Sequence, residues 1–276
     1  MKKFDVKQDV VDRIIERFET VGEFEMPFKT FGTMNFKSKK LYRGINILLL
    51  AMAGYSSPYW GSPKQWIEAG ANIKGAKCTR IVFWNIKKVE DDDGEEKTIA
   101  WAKYHNVLNS EQVTGWVAPS TKKKDETEIV ALADEFLGSL GVNVTVKSGR
   151  AFYSIGEDYI NMPPRKDFFA TKTSTATEAY YSTYAHESVH ATMHKERCDR
   201  NMKSYAAEEL VAEIGAAMLC ERLGISSEMR DDHVAYIKSW LENLRNDKQF
   251  IFSAAKQAQT AIDWMAEKQG GVKLAA

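Results

Sequence analysis

The stretch Ala185-His186-Glu187-Ser188-Val189-His190 determines how the rest of the chain is interpreted. It is a His-Glu-x-x-His sequence within residues 177–194, a run whose composition indicates one helix. Because four residues span just over one helical turn, His186 and His190 project from the same face and can bind one metal ion. Glu187 lies beside them, where its carboxylate can take a proton from water that the metal activates.

A downstream acidic segment offers the third protein ligand that a metal bound by two histidines requires, beside an open position for water. The chain reads Glu208-Glu209-Leu210-Val211-Ala212-Glu213 there, with apolar residues at helical spacing around the acids. Glu209 and Glu213 are four residues apart and therefore share one face of the predicted helix. The two helices together predict a metal centre.

This acidic pair resembles the gluzincin arrangement, which is that of the thermolysin-like metallopeptidases. The resemblance implies that Glu209 is the third metal ligand and that Glu213 hydrogen-bonds the far nitrogen of a ligand histidine. Glu208 and Glu213 remain alternative ligands. The expected metal is Zn²⁺, and another divalent ion such as Mn²⁺ is an alternative.

Other metal-binding side chains lie near the motif in sequence. His194 follows His190 by a further turn, but three histidines on successive turns of one helix spread too far to share a tetrahedral ion easily. We therefore expect His194 to be a polar neighbour that supports the site. Cys198 and Cys220 offer thiolates, yet their spacing matches no common metal site and buried cysteine is ordinary.

The chemistry expected of such a centre is hydrolysis of a peptide carbonyl by activated water, with Glu187 as the base. The predicted strand at residues 159–162 precedes the helix, and we expect it to form the edge of the cleft where an extended peptide pairs. No spacing argument selects the donor that would stabilise the oxyanion. The candidates are Tyr180, Tyr181, Tyr184, Arg200 and Tyr205.

The N-terminal half has a different composition, although the whole chain of 276 residues has a formal net charge of zero. Residues 26–88 contain eleven Lys or Arg against one acid, Glu68, together with ten aromatic residues. Cations that bind phosphates and rings that stack on bases are typical of a groove for single-stranded nucleic acid. The alternative is a packed aromatic core with a basic rim.

The pattern of elements predicts an α+β protein of two domains. The first, residues 1–118, has helices at 6–18, 46–52 and 63–68, and strands at 80–88 and 99–107 joined through an acidic tip at 90–96. A polar linker at 119–126 follows. The second domain, residues 127–276, has helices at 127–140, 177–194, 205–223, 231–246 and 247–268, and strands at 142–148, 151–154 and 159–162.

Composition also bounds the cellular context. The N-terminus is a charged amphipathic stretch and no long apolar run occurs, so we expect neither a signal peptide nor a membrane span. Three cysteines that are far apart suit a reducing compartment. The sequence therefore predicts a cytoplasmic protein that has no membrane partner.

The C-terminal half contains three motifs whose order is specific, although each is modest on its own. They are Ile160-Asn161-Met162-Pro163, the His-Glu-x-x-His followed by His194 and Asp199-Arg200, and Glu209-Leu210-Val211-Ala212-Glu213-Ile214-Gly215-Ala216-Ala217. In these motifs and their order, the C-terminal half resembles the ArdC antirestriction family.

The N-terminal half resembles the ArdC/TraC N-terminal domain, so that the likeness covers residues 5 to 268. Its motifs are Tyr42-Arg43-Gly44-Ile45-Asn46-Ile47-Leu48-Leu49-Leu50, Gly54-Tyr55, Ser57-Pro58-x-Trp60, Gln65, Gly70-Ala71, Val82-Phe83-Trp84 and Asn106-Val107-x-Asn109-x-x-Gln112.

This resemblance implies a single-stranded-DNA-binding domain followed by a zincin-like (gluzincin-type) metallopeptidase domain. The function implied is that of a plasmid or phage antirestriction protein in a bacterial host, with single-stranded DNA and a protein such as a restriction component as partners. The residues that we expect to contact DNA are Lys39, Lys40, Tyr42, Arg43, Asn46, Tyr59, Trp60, Lys74, Lys77 and Trp84.

Two other functions fit the same motifs. The metal could be structural in a protein that only coats single strands, or the chain could be a SprT-like protease for DNA–protein crosslinks. The sequence also departs from the family beside the motif, where Ala191-Thr192-Met193-His194 replaces the usual Trp-Thr-Gly-His. That change leaves the ligands in place and alters the expected shape of the cleft.

Overall fold

A computed structural model describes residues 5–21, 33–90, 96–119, 126–170, 174–201, 204–225 and 234–269. The described residues form two compact units. One contains residues 5–20 and 33–118, and the other contains residue 21 and the residues from 119 onwards. The assignment of residues 119–126 as a linker stays a prediction.

The first unit is a small α+β layer. Its helices are α1 (Val6–Val21), α2 (Ile45–Ala51) and α3 (Pro63–Glu68), and its strands are β1 (Met34–Asn35), β2 (Tyr59–Gly61), β3 (Thr79–Glu90) and β4 (Glu96–Asn109). The strand order is β1-β2-β4-β3; β1 pairs parallel with β2, and the other pairs are antiparallel. The three predicted helices and the predicted hairpin are confirmed, whereas its tip at residues 91–95 lies outside the described residues.

Side-chain chemistry explains how these short elements form. Pro63 begins α3, and Ser62 and Gln65 form a reciprocal capping box at its start. The Asn46 side chain accepts from the Val82 N–H at 2.7 Å and donates to the Val82 carbonyl at 2.8 Å, which joins α2 to β3. Many of the aromatic side chains of residues 26–88 lie in the core. For example, the rings of Phe36 and Trp66 stack with their centroids 3.8 Å apart.

The second unit contains three strands and five helices. The helices are α4 (Glu126–Gly138), α5 (Ala176–Ala191), α6 (Tyr205–Leu223), α7 (Val234–Asn246) and α8 (Phe250–Lys268), and the strands are β5 (Asn143–Val146), β6 (Phe152–Ser154) and β7 (Tyr159–Met162). All of these elements were predicted, with shifts at their ends. The predicted start of the fourth helix, at residues 231–233, lies outside the described residues.

The order of the three strands corrects one prediction. It is β5-β7-β6, so β7 is central and pairs with β5 on one side and β6 on the other. The expectation that residues 159–162 form a free cleft edge is wrong, because both sides of that strand are already hydrogen-bonded. Among the described strands, β5 and β6 are the two edges of this sheet, and β6 packs against α5.

The motif helix is shorter than predicted, since α5 ends at Ala191 and not at residue 194. Thr175 caps its start through a reciprocal bond with Glu178. At its end, Arg197 donates to the Ala191 carbonyl at 2.8 Å and forms a two-pronged ion pair with Asp158. Within the described part of the chain, no helix has the length and apolar character needed to cross a bilayer.

Candidate functional site

The predicted metal ligands come together where α5 packs against α6. Gly215 of α6 permits a close approach, because a Cβ there would stand 2.9 Å from both methyl carbons of Val189. Val189 lies between the two motif histidines on α5. The contact therefore sets how near the histidines of one helix stand to the acids of the other.

The three side chains meet at short range. His186 Nε2 and His190 Nε2 are 3.0 Å apart, and each is 3.5 Å from a different oxygen of Glu209. One ligand atom from each of the three lies within 4.8 Å of the others. The structure thus assembles the residues that the sequence selected, and their role as ligands stays a prediction.

The donor set fits a divalent cation. Ligands at about 2.0–2.1 Å from a tetrahedral ion stand about 3.3–3.4 Å from one another, and the observed separations of 3.0 and 3.5 Å bracket that value. Two neutral imidazoles whose Nε2 atoms face each other at this distance repel each other unless a proton or a cation lies between them. One carboxylate beside them supplies compensating negative charge.

Glu213 supports His186 from the far side of its ring. Its carboxylate oxygen lies 3.3 Å from His186 Nδ1, which leaves Nε2 directed to the other ligands. Burial lowers the pKa of His186, but the hydrogen bonds with Glu209 and Glu213 outweigh burial and raise this pKa to about 10. Burial likewise opposes the low pKa of Glu209, and the bonds from both histidines prevail and depress it.

His190 has a corresponding support that the sequence argument did not find. Glu208, which that argument kept as an alternative ligand, lies 3.3 Å from His190 Nδ1 and accepts from the buried guanidinium of Arg200. Arg200 also donates to the Val189 carbonyl at 3.0 Å and to the Thr192 hydroxyl. The acid that orients His190 is therefore held by an arginine from the loop after α5.

This network removes Arg200 from the candidates for oxyanion stabilisation, because its donors are engaged beneath the site. Two tyrosines are also committed elsewhere: Tyr181 donates to Asp134 at 2.8 Å, and Tyr184 donates to the Leu137 carbonyl at 3.5 Å. Tyr180 packs edge-on against Phe168. Tyr205 is exposed at the start of α6.

His194 lies in the turn beyond α5, which corrects its placement on the same helical stripe as the ligands. Its Nδ1 accepts from the Glu196 N–H at 3.3 Å. Its charge contributes to the low pKa of Asp158, for which the hydrogen bond from Arg197 is the main cause. Glu208, and not His194, lies against the far nitrogen of His190, and the supporting role of His194 stays a prediction.

Glu187 lies close to the candidate ligands, whereas the two nearby cysteines lie outside the ligand set. Glu187 is buried on the same helix as the histidines, next to the ligand set. The metal-competent cluster in the described part of the chain does not include Cys198 or Cys220. Cys220 is fully buried, and burial raises the pKa of its thiol.

In the first unit, the long β3–β4 hairpin exposes an aromatic face that the sequence argument missed. Register places Phe83 opposite Lys103, and Asn85 opposite Trp101. Phe83 is 54% exposed and Trp101 37%, and the Phe83 ring lies 5.1 Å from that of His105. Alternation along each strand puts these side chains on one face of the hairpin. We call this set the hairpin face.

The opposite face of the hairpin is covered by α1. Trp84, a predicted DNA contact, points to that side, where the Lys7 ammonium lies 5.2 Å from its ring centre. The Tyr104 hydroxyl on the same face donates to the Val6 carbonyl at 3.4 Å and to Asp9. Trp84 nevertheless remains 39% exposed.

The other predicted DNA contacts divide by burial. Trp60 is 1% exposed and Tyr59 is 8% exposed, so neither ring has a free face for a base and their assignment is corrected. Asn46 is engaged with the Val82 backbone, and Tyr42 is half-buried. The exposed members of the set are Lys39, Lys40, Arg43, Lys74 and Lys77.

Each half of the chain matches a known protein family. Residues 4–128 match the model of the N-terminal domain of anti-restriction factor ArdC, and residues 131–257 match that of a zincin-like metallopeptidase. Two crystal structures of the ArdC antirestriction protein from plasmid R388 superpose with it. The metal-free one has a TM-score of 0.79 and 36% identity over 97% of this chain and 98% of that one.

The Mn(II)-bound structure of the R388 protein gives a TM-score of 0.75 and 34% identity, over 97% of this chain and 99% of that one. The uncharacterized protein y4eC of Sinorhizobium fredii is 33% identical over 96% of this chain and 92% of its own length. The Escherichia coli DNA primase TraC is 30% identical over 94% of this chain, which spans 27% of that primase.

The class follows from the fold and the site together: a His-Glu-x-x-His helix packed on a helix with acidic residues defines a zincin-like domain, here preceded by an ArdC-type N-terminal domain. The chain belongs to the ArdC antirestriction family.

Proposed function

We propose that this chain is a single-stranded-DNA-binding antirestriction protein with a metal-dependent peptidase centre. The observation that carries the metal centre is the convergence of His186, His190 and Glu209 within 4.8 Å. The Mn(II)-bound relative from plasmid R388 supports a divalent cation at this position, and two nitrogens with one carboxylate oxygen also suit Zn²⁺. A functional centre further requires that the ligands be held in orientation.

The residues of the chain divide the catalytic work as follows. A divalent cation bound here would supply Lewis acidity, which acidifies water and polarises a carbonyl. Glu187 takes the proton from the attacking water and returns it to the leaving amine. Glu213 holds His186 and Glu208 holds His190, each through Nδ1, so that both Nε2 lone pairs face the same point.

We infer that a peptide substrate lies along β6, the edge strand that packs against α5. On the side away from β7 it has no strand partner within the described ranges, and its main-chain groups there can pair with an extended chain. Phe152 on β6 is exposed and offers an apolar contact to a substrate side chain. The protein substrate that fits an antirestriction role is a component of the restriction machinery in the bacterial cytoplasm.

The substitution Glu187→Gln tests hydrolysis separately from metal binding. We expect unchanged metal content and fold, with loss of any cleavage of restriction subunits incubated with the protein, because the amide cannot accept the proton. The control is Glu196→Gln in the exposed turn after α5. Full protection from restriction in the Glu187→Gln variant would show that the metal is structural. Cleavage of DNA-crosslinked proteins that requires single strands would favour the SprT-like alternative.

For DNA binding we propose the hairpin face as the stacking surface. Exposed rings of Phe83 and Trp101 can each stack on a base, while Lys103 and Lys87 are exposed on the same face to contact phosphates. Phe83 and Trp101 are diagonal neighbours across the two strands. This separation suits successive unstacked bases of a single strand. A duplex offers no such unstacked faces, so the surface should prefer single strands.

The matched test compares the two faces of the hairpin. Stacking contributes about 1–3 kcal/mol per base, so Phe83→Ala and Trp101→Ala should each weaken oligothymidylate binding by about tenfold. Trp84→Ala, on the face toward α1, should change it little. Fluorescence anisotropy at several salt concentrations measures both the affinity and the expected steep salt dependence. Equal losses in Trp84→Ala and Phe83→Ala would contradict the assignment.

A further inference from the structure

The first unit contains a cavity of about 400 Å³ between α1, α2 and the start of β3. Three of the side chains that line it are basic: Arg13, Lys77 and Arg80. The described lining residues include no carboxylate. A concave site with three cations and no acid in its wall is suited to an anion.

Arg13 has hydrogen-bonding capacity that the fold does not use. Its Nη1 is buried without a hydrogen-bond partner among the described residues, although the guanidinium also contacts the Tyr104 hydroxyl and lowers that phenol's pKa against the larger effect of burial. A guanidinium that lines a cavity and has no carboxylate partner among the described residues would gain from an anionic ligand. Arg80 is held over the Tyr104 ring, 5.6 Å from its centre, and remains exposed.

Two acids of the first unit have hydrogen-bond donors of their own. Asp9 accepts from the Tyr104 hydroxyl. Glu111 accepts from the Ser56 and Ser57 N–H groups at 2.9 and 2.6 Å. Within the described part of the chain, neither carboxylate forms an ion pair with Arg13, Lys77 or Arg80.

The rest of the wall is apolar or aromatic. Leu49, Met52 and Ala53 of α2 and the turn after it form one side, and Tyr55 lies beside them. The Tyr55 ring packs edge-on against Trp60 at 5.5 Å, which fixes its position. An inorganic anion would leave this surface unused, whereas a ligand with a phosphate and a flat ring would contact both parts.

We infer that this cavity binds a single nucleotide, with the phosphate on Arg13, Lys77 and Arg80 and the base against Leu49, Met52 and Tyr55. Its volume lies within the range of about 300–1,000 Å³ that small-ligand sites occupy. The inference deepens the proposed DNA-binding function, yet the site differs from the hairpin face. Arg80 shares its strand face with Trp84, opposite to Phe83.

Calorimetric titration of the full chain with thymidine 5′-monophosphate tests the inference. We expect thymidine 5′-monophosphate to bind at least about tenfold more tightly than thymidine or inorganic phosphate, because each of these makes only one half of the contacts. Lys77→Ala and Arg80→Ala should each lose about tenfold in affinity. The matched control is Lys64→Ala, an exposed lysine of α3 that does not line the cavity. Arg13→Gln should also weaken binding, with circular dichroism to verify its fold.

Competition identifies the source of the nucleotide. Displacement of the monophosphate by a 5′-phosphorylated oligothymidylate, and not by its 5′-hydroxyl form, would assign the cavity to the end of a strand. Failure of both strands to compete would assign it to the free nucleotide. The inference is overturned if the wild type does not bind the monophosphate, if inorganic phosphate binds as tightly, or if Lys77→Ala and Lys64→Ala behave alike. Phe83→Ala should retain monophosphate binding, which separates this result from failure of the hairpin face.

Discussion

At the scale of single residues, the proposed metal centre contains two acids that do not need to touch the metal. Glu213 lies against Nδ1 of His186, and Glu208 lies against Nδ1 of His190. The contact between Glu208 and His190 extends to Arg200, whose buried guanidinium is neutralised by Glu208. Removal of one partner from such a pair leaves a buried charge without compensation, so the fold and the site both depend on it.

The first prediction concerns Glu208→Gln. The amide keeps the size of the side chain but loses the charge that holds Arg200 and polarises His190. Loss of such a supporting acid typically weakens metal affinity about 10–100-fold, and we expect a fall in this range for Mn²⁺ and Zn²⁺ with a lower Tm. Competition with a fluorescent chelator measures the affinity. Wild-type affinity in this variant would contradict the role of Glu208, and Glu196→Gln is the control.

The second prediction concerns pH. In the metal-free protein the raised pKa of His186, about 10, means that the ring retains its proton through neutral pH. Metal binding must displace that proton, so affinity should rise by about tenfold for each pH unit between pH 6.5 and 9. The protonated ring stabilises the metal-free fold below its unfolded pKa near 6.5, and this contribution is lost as pH rises toward 10.

Metal affinity and metal-free stability should therefore change in opposite directions as the pH rises. Chelator competition and thermal unfolding across this range measure the two. Affinity that does not depend on pH would mean that His186 binds the metal without releasing a proton, which contradicts the assignment.

At the scale of elements, the α5–α6 contact determines the distance between histidines and acids. In Gly215→Ala, the added methyl group would meet the branched Val189 side chain at 2.9 Å, and a β-branched residue has little freedom to move aside. We expect a cost of about 1–3 kcal/mol in unfolding free energy and weaker metal binding. The added substitution Val189→Ala should restore metal affinity. If Gly215→Ala binds metal like the wild type, the contact does not set the site's geometry.

The Asp158–Arg197 pair joins the β6–β7 turn to the end of α5. Asp158→Asn should cost about 1–2 kcal/mol, because a two-pronged charged contact is lost from a partly exposed site. Asparagine suits the positive φ of 51° at this position. The hydrogen bond from Arg197 lowers the pKa of Asp158, so this stability is present above its unfolded pKa and lost as pH falls through the folded one. Urea unfolding at neutral and acidic pH should show a difference that disappears in acid.

The elements and the candidate ligands could be predicted from the sequence because they depend on local periods, short spacings and a family resemblance. The pairing of His186 with His190 follows from helical spacing, the choice of Glu209 came from the resemblance to gluzincins, and the strands follow from alternation. The position of β7 in its sheet depends on distant partners, which no local pattern specifies. The same holds for Arg200, which reaches Glu208 from an irregular loop, and for Trp60, whose burial depends on how the first unit packs.

At the scale of the whole molecule, an ArdC-type N-terminal domain and a zincin-like domain form separate compact units. The hairpin face of the first unit and the metal centre of the second share no described residue. We therefore expect removal of the metal by a chelator to change oligothymidylate affinity less than about twofold, a change of a few tenths of a kcal/mol. Anisotropy before and after chelation measures this. A large loss of DNA affinity would show that the metal centre contributes to DNA binding.

The proposed metal site is tested most directly by the amount of metal bound per chain after loading with Mn²⁺ or Zn²⁺ and removal of free ions, determined by elemental analysis. We expect one equivalent in the wild type and in Glu187→Gln, and substoichiometric metal in Glu209→Gln and in His190→Ala at unchanged helical content. No bound metal in the wild type, or full occupancy in Glu209→Gln, would contradict it.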